Sequence, residues 1–333
     1  MAKFTTITLN YYDAMDEKKI DENILQQLTK LEEKYEAMGQ DLSSYLDGLL
    51  YSDYLTYWDY IHLDTLLSLQ TPRTAIPDEK IFILYHQVTE LYFRMILNEM
   101  EQAVFTDPIG EKTFLKRLKR VNRYLDHLID SFDVMTDGMD QDQFLAFRMA
   151  LLPASGFQSG QYRKLEIYST DFKNLVNKDK RDELKNEQDL AKLYEFLYWK
   201  AGATELASGK KTLTLRQFEA KYSKEFIELA VQVSECNLLS KYHNHYEGNN
   251  EVIQELKKLD QKANVDWPLQ HLKSATRYLQ RDPNVIKASG GTNWQKYLPP
   301  RRQRIIFYPE LWTSEEIEEW GQKFKKVFTS LHA

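Results

Sequence analysis

The stretch IFILYHQVTELYFRMILNEMEQ, residues 81–102, decides the fold class because it reads as one long, largely apolar helix. It follows Pro77 and Asp78, a turn residue and a good N-cap, and it contains neither Gly nor Pro. Helical spacing places four side chains on one face: Phe82, His86, Thr89 and Phe93. A titratable imidazole on such a face is either a satisfied core group or a functional one. Spacing alone leaves both interpretations open.

Composition predicts a packed globular protein. The 333 residues are long enough to bury a substantial core, and they are 42% hydrophobic and 13% aromatic. A net charge of −6, from 44 basic and 50 acidic side chains, disfavours generic binding to nucleic acids or anionic membranes.

The cysteine count and the hydropathy pattern bear on localisation. Cys236 is the only cysteine, so no intrachain disulfide can form and a reducing compartment is expected. The N-terminal residues lack a secretory pattern, and nowhere do 18 apolar residues run together. We expect a cytoplasmic protein.

Helical periodicity dominates the chain and predicts an all-α fold, a single domain spanning residues 1–333. Thr313, with Glu316 three residues later, matches a capping box. Apolar residues recur at helical spacing in nine segments: 21–38, 79–105, 111–135, 140–151, 180–201, 214–241, 249–263, 268–280 and 314–331.

Several familiar kinds of site lack support in the sequence. No P-loop, dinucleotide fingerprint or G-x-S-x-G motif is present. His243 and His245, beside Glu247, form a close cluster, but without a third ligand nearby they are weak evidence for a metal. The basic residues between Lys116 and Arg123 alternate with apolar ones, which favours a solvated helix face.

Two other stretches carry candidate chemistry. Arg148 lies one helical turn after Phe144, and its guanidinium is suited either to gripping a ligand carboxylate or to an internal salt bridge. His271 lies on a helical segment ahead of the small-residue loop Ser289 to Thr292. Such an arrangement suits cofactor ligation but is weak evidence by itself.

Together these segments resemble the tryptophan 2,3-dioxygenase family of haem enzymes. The resemblance is close over about 50–166 and looser over 265–312. It rests on four ordered motifs: YWDYIHLDTLLSLQ (57–70), IFILYHQVTELYF (81–93), FRMALLPASGFQSGQYRKLE (147–166), and SGGT with KYL (289–298).

The resemblance implies a helical bundle enclosing a b-type haem and assigns roles to individual positions. His86 resembles the distal histidine that hydrogen-bonds the substrate indole N–H, and His271 resembles the proximal ligand of the iron. Arg148 resembles the arginine that binds the substrate carboxylate. The remaining substrate-binding positions match pocket walls, a turn that faces haem and substrate, and a hydroxyl that contacts the amino-acid end: Tyr57, Tyr60, Phe82, Phe144, Ser155, Gly156 and Ser289.

The chain departs from the family pattern at one loop. Where the family has Gly-Thr-Gly-Gly, this sequence has Ala288, Ser289, Gly290 and Gly291, and the connection from His271 is longer. Serine keeps the hydroxyl but lacks the methyl group, so hydrogen bonding can survive while the fit to the substrate changes.

The resemblance implies that O2 cleaves the C2–C3 bond of the L-tryptophan indole to give N-formylkynurenine, the first step of the kynurenine pathway of tryptophan catabolism. Family members are usually homotetramers, dimers of dimers, and residues 1–50 would form a helical arm contacting a neighbouring subunit. Two alternatives remain: a haem enzyme of the same fold that oxidises a modified tryptophan or another aromatic amino acid, and a non-catalytic helical scaffold.

Overall fold

The computed structural model describes residues 20–151, 156–204, 210–279 and 299–322, and these form two compact units, one within residues 1–69 and one within 70–333. The first contains four helices: α1 (Glu22–Ala37), α2 (Leu42–Leu50), α3 (Tyr57–Tyr60) and α4 (Leu63–Ser68). Side chains of Asp21, Asp41 and Thr56 cap three of them. None of the residues described in this unit is buried.

The second unit is built on long helices. Its first half contains α5 (Asp78–Phe105), α6 (Glu111–Ser131), α7 (Asp133–Thr136), α8 (Gln141–Phe147) and α9 (Gly160–Ser169), with 3₁₀ turns at Arg148–Leu151 and Gly156–Gln158. Its second half contains α10 (Phe172–Leu175), α11 (Lys178–Arg181), α12 (Leu190–Glu195), α13 (Tyr198–Gly202), α14 (Leu213–Val233), α15 (Leu238–Lys241), α16 (Asn250–Gln261), α17 (Trp267–Leu279), α18 (Pro300–Gln303) and α19 (Ser314–Glu318).

Two π-helical turns, a 3₁₀ turn at Pro309–Leu311 and two isolated bridges complete the secondary structure of the described residues. The π turns are Tyr242–Tyr246 and Lys262–Asp266, and the second leads directly into α17. The bridges pair Val176 with Leu197 and Thr204 with Lys211. The prediction of an all-α fold is confirmed.

The core of the second unit lies between α5, α6 and α9, with α16 packed on α6 and α14 packed on α9. Fully buried apolar side chains supply its centre, among them Ile96, Met100, Leu118 and Leu125. Each such side chain contributes roughly 1.5–3 kcal/mol on burial. Residues of α5 therefore divide between this core and a second face that carries His86.

Most helix positions agree with the sequence prediction, but segment 111–135 is interrupted between α6 and α7, and three further segments are also interrupted. Segment 180–201 divides into α11, α12 and α13, and segment 214–241 breaks after Val233 before α15. Segment 140–151 is α-helical only to Phe147 and then tightens into a 3₁₀ turn. Periodicity missed these breaks because the apolar spacing continues through each turn and tertiary packing fixes the ends.

The predicted cap of α5 is wrong, whereas the predicted capping box is confirmed. Pro77 occupies the N-cap position and Asp78 is the first helical residue. The Asp78 carboxylate instead accepts a hydrogen bond from the Asp140 backbone N–H at 2.6 Å, which ties α5 to the start of α8. Thr313 and Glu316 exchange both hydrogen bonds of a capping box. Part of segment 314–331 lies outside the described residues.

Asp260, which is fully buried, fastens the segment after α18 to α16. Its carboxylate accepts hydrogen bonds from the Phe307 N–H at 2.9 Å, the Tyr308 N–H at 3.2 Å, the Trp312 indole at 3.0 Å and Asn264 Nδ2 at 2.8 Å. Burial raises the pKa of Asp260 to about 6, although these four donors oppose that rise.

Replacing Asp260 by Asn should lower the free energy of unfolding by about 2–4 kcal/mol, because an amide nitrogen would then face buried N–H donors. Urea denaturation measures the loss. The exposed Glu251 of α16 offers the control, and Glu251→Gln should change stability by less than about 0.5 kcal/mol. Equal stability of the two variants would contradict this account of Asp260.

Candidate active site

Two histidines are held in the same way on different helices. In α5, His86 Nδ1 lies 2.7 Å from the Phe82 carbonyl oxygen, and in α17, His271 Nδ1 lies 3.2 Å from the Trp267 carbonyl oxygen. A carbonyl can only accept, so each Nδ1 carries the proton and each Nε2 keeps its lone pair. The fold thereby fixes both tautomers.

Both imidazoles are neutral at physiological pH. Desolvation lowers the pKa of His271 to about 4, and the nearby His86 adds to the effect. Desolvation also lowers the pKa of His86, with the Phe82 carbonyl and Glu90 opposing it in part. The His86 side chain is exposed and that of His271 is half-buried, although many protein atoms lie close to both rings.

Aromatic rings connect the two histidines. The Phe82 ring centroid lies 4.1 Å from that of His86, and Tyr85 stands edge-on to both His86 and Phe132. The Phe132 centroid is in turn 4.6 Å from that of His271. Edge-to-face and tilted contacts of this kind are favourable, so the rings hold a fixed apolar wall between α5 and α17.

Phe144 packs against this wall. Its ring centroid lies 6.3 Å from that of Phe82, 5.5 Å from that of the buried Phe147 and 4.6 Å from that of Tyr278. The sequence spacing did not indicate that Phe132 or Tyr85 packs beside the histidines. Phe132 and His271 lie far apart in the chain, so no local pattern links them.

Arg148 follows directly after α8, and its backbone N–H caps the Phe144 carbonyl. The side chain is only 3% exposed, and burial lowers the pKa of its guanidinium. Arg73 Nη1 donates to the Ala150 carbonyl at 3.0 Å, while Glu79 accepts the backbone N–H groups of Arg73 and Thr74. The start of α5 therefore holds the turn that carries Arg148.

The structure describes three of the five remaining predicted site residues. Tyr57 and Tyr60 are the first and last residues of α3 in the first compact unit, and their side chains are 72% and 71% exposed. Gly156 begins a 3₁₀ turn that leads into α9. Ser155 and Ser289 lie outside the described residues, as does the departing loop at 288–291.

The other candidate features of the sequence lie elsewhere. The basic residues of α6 line an open surface groove of about 650 Å³, as a solvated face would. His243 pairs with Glu310 at 2.9 Å, and His245 lies 3.7 Å from Asp107. Within the described ranges no group of three or more His, Cys, Asp or Glu side chains is arranged to hold a metal ion. None of the helices described is long and apolar enough to cross a membrane.

A family model for tryptophan 2,3-dioxygenase matches residues 46–255, which is more than half of the chain. The chain belongs to the tryptophan 2,3-dioxygenase family. The match includes Tyr57, Phe82, His86, Phe144 and Arg148 and ends before His271. It also runs through 167–255, where the sequence shows few recognisable motifs.

Similar curated proteins bear the same family name. The tryptophan 2,3-dioxygenase of Bacillus thuringiensis subsp. konkukian (strain 97-27) is 28% identical over 269 residues, covering 79% of this chain and 92% of that protein. The one from Bacillus anthracis has the same identity and coverage. The one from Polaromonas naphthalenivorans (strain CJ2) is 36% identical over 120 residues, 35% of this chain and 42% of that protein.

The desolvated His271 predicts a pH dependence for the protein without cofactor. The unfolded chain takes up a proton at His271 near pH 6.5, whereas the folded chain does so only near pH 4. Stability is therefore fully present above pH 6.5 and is lost as pH falls towards 4. Between pH 7.5 and 5.0 this one group should remove about 2 kcal/mol.

Urea denaturation at the two pH values, on the wild type and on His271→Gln, measures the effect. The variant should show the smaller fall in free energy of unfolding. An identical fall in both proteins would mean that the His271 imidazole is not desolvated in the folded state.

Proposed function

We propose that this protein is a haem-dependent dioxygenase that cleaves the C2–C3 bond of the L-tryptophan indole and releases N-formylkynurenine. Both atoms of O2 enter the product, so the reaction needs no external reductant. The observation that carries the proposal is the pair of neutral, tautomer-fixed imidazoles on α5 and α17, joined by aromatic rings, in a chain of this family.

The residues present suit haem b. Iron needs an unprotonated nitrogen, and His271 offers Nε2 because its Nδ1 proton is engaged by the Trp267 carbonyl and its pKa is far below neutrality. Phe132 and Trp267 contact the His271 ring and supply the apolar surroundings that a porphyrin requires. When bound through His271, haem would supply the activation of O2.

His86 would orient the indole. Because its Nδ1 donates to the Phe82 carbonyl, its Nε2 can only accept, and the indole N–H is a donor that matches it. The lowered pKa keeps the ring from becoming a cation that would repel this donor. Phe82 and Phe144, which lie beside it, would bound the flat indole by ring contacts.

Arg148 would bind the substrate carboxylate. A guanidinium in a desolvated setting forms strong paired hydrogen bonds with a carboxylate, and this one is held on the turn after Phe144. Ser155, Gly156 and Ser289 complete the proposed substrate contacts by family resemblance. Within such a site the main tasks of the chain are orientation and exclusion of water.

By family resemblance, Tyr57 and Tyr60 would help to close the substrate site, partly across a subunit boundary. The first compact unit exposes large apolar side chains within residues 20–50, including Ile20 at 57%, Met38 at 55% and Leu50 at 82%, and such surfaces mark protein–protein contacts. We therefore propose that residues 1–50 contact a second subunit in a homotetramer, a dimer of dimers, and that 1–333 acts as one catalytic domain in the cytoplasm.

When ferrous, haem-loaded protein is mixed anaerobically with L-tryptophan and then with O2, it should form N-formylkynurenine. The near-ultraviolet absorbance of this product measures its formation. His271→Ala should lose haem retention and its Soret band, because the iron loses its protein ligand. Parallel assays with substituted tryptophans and tyrosine define the substrate. A haem-loaded protein that gives no product from tryptophan would refute the assignment, and normal haem retention by His271→Ala would refute the ligand.

Replacing Arg148 by Leu should raise KM for L-tryptophan on the order of 10- to 100-fold with a smaller effect on kcat, since a charge-assisted clamp is lost. Steady-state kinetics on haem-matched samples measure this. Arg117, which pairs with Glu99 at 2.8 Å, provides the control, and Arg117→Leu should leave KM unchanged. Equal KM values for wild type and Arg148→Leu would exclude carboxylate binding by Arg148.

A further inference from the structure

The π-helical turn Lys262–Asp266 stands immediately before the helix that carries His271. Its cause can be read from the sequence, since residue 268 is a proline. In a regular α-helix the ring of Pro268 would collide with the carbonyl of Asn264, four residues earlier. Widening the helix by one residue relieves that collision.

The wider turn leaves one carbonyl without a helical donor. The Trp267 N–H, which would serve the Ala263 carbonyl in an α-helix, bonds to the Lys262 carbonyl instead. In a π-helix the next donor would be the N–H of residue 268, and proline has none. Since Ala263 is fully buried, an unsatisfied carbonyl here would be costly.

The Tyr162 hydroxyl takes the place of that donor. It donates to the Ala263 carbonyl oxygen at 2.7 Å, in a buried setting, from helix α9. Burial raises the pKa of Tyr162 well above its usual value, so the hydroxyl keeps its proton. The Tyr162 ring also stands edge-on to Phe93, which stands edge-on to Trp267.

Other contacts fix the flanks of the turn but not this carbonyl. Lys262 Nζ bonds to the Asn122 carbonyl and to Asp126 on α6. The far half of α17 is fastened where the Tyr278 hydroxyl donates to the Thr136 carbonyl. Tyr162 therefore acts on the stretch between these anchors, which leads from Ala263 through Trp267 to His271.

We propose that Tyr162 is a positioning residue for the iron ligand: by bonding the Ala263 carbonyl that Pro268 leaves free, it fixes the π turn and so the direction of His271 Nε2. The inference rests on the proposed role of His271 in binding haem.

The test compares Tyr162→Phe with Tyr246→Phe. Both tyrosines are 7% exposed, and each hydroxyl donates to a distant backbone carbonyl, that of Ile109 in the case of Tyr246. Titration of the apoprotein with haem gives Kd, and resonance Raman spectra of the ferrous protein give the iron–histidine stretching band. Thermal unfolding of both apoproteins measures the ordinary cost of losing a buried hydrogen bond.

Tyr162→Phe should weaken haem binding about tenfold and shift the iron–histidine band. Tyr246→Phe should lose similar thermal stability with unchanged Kd and band. A Tyr162→Phe protein with the Kd and band of Tyr246→Phe would overturn the proposal.

His271→Ala separates the two levels of the inference. If it binds haem as the wild type does, the proposed ligand is wrong and the role of Tyr162 falls with it. If it loses haem while Tyr162→Phe keeps wild-type affinity and band, the ligand stands and only the positioning role is refuted.

Discussion

The site depends on a hydrogen bond that occurs twice, from a histidine Nδ1–H to the carbonyl one helical turn earlier. The bond fixes the tautomer, and the surrounding protein keeps each ring neutral, so both Nε2 atoms offer lone pairs. A charged imidazole could neither ligate iron nor accept an indole N–H. Helix geometry and desolvation together define what these two residues can do.

Buried polar groups elsewhere hold the helices that carry the histidines. Glu79 accepts three hydrogen bonds at the start of α5, from the Arg73 and Thr74 backbones and the Thr74 hydroxyl. The Asp260 carboxylate accepts four hydrogen bonds at the end of α16. Just beyond it, the Tyr162 hydroxyl donates a hydrogen bond to the Ala263 carbonyl. Each of these groups forms hydrogen bonds with backbone atoms that helix ends and turns leave without partners. Apolar packing alone cannot satisfy such polar atoms.

Much of this architecture is legible in the sequence. The helical run at 81–102, the capping box at Thr313 and the one-turn spacing of Phe144 and Arg148 all occur as predicted. These features are local, and local spacing determines which side chains share a helix face. Helix breaks such as the one after Val233 were missed, because the hydrophobic pattern continues where packing ends the helix.

By itself, the sequence determined the helical class, the family motifs and the face that carries Phe82 and His86. Only the tertiary structure decided that Phe132 contacts His271 and that Asp260 binds the segment beginning at Phe307. It also decided that the Tyr162 hydroxyl donates a hydrogen bond to the Ala263 carbonyl. Each of these contacts joins residues far apart in the chain, and their pairing depends on how whole helices pack. Pro268 shows the division most clearly: its missing N–H is a fact of sequence, whereas the hydroxyl that compensates for it is supplied by folding.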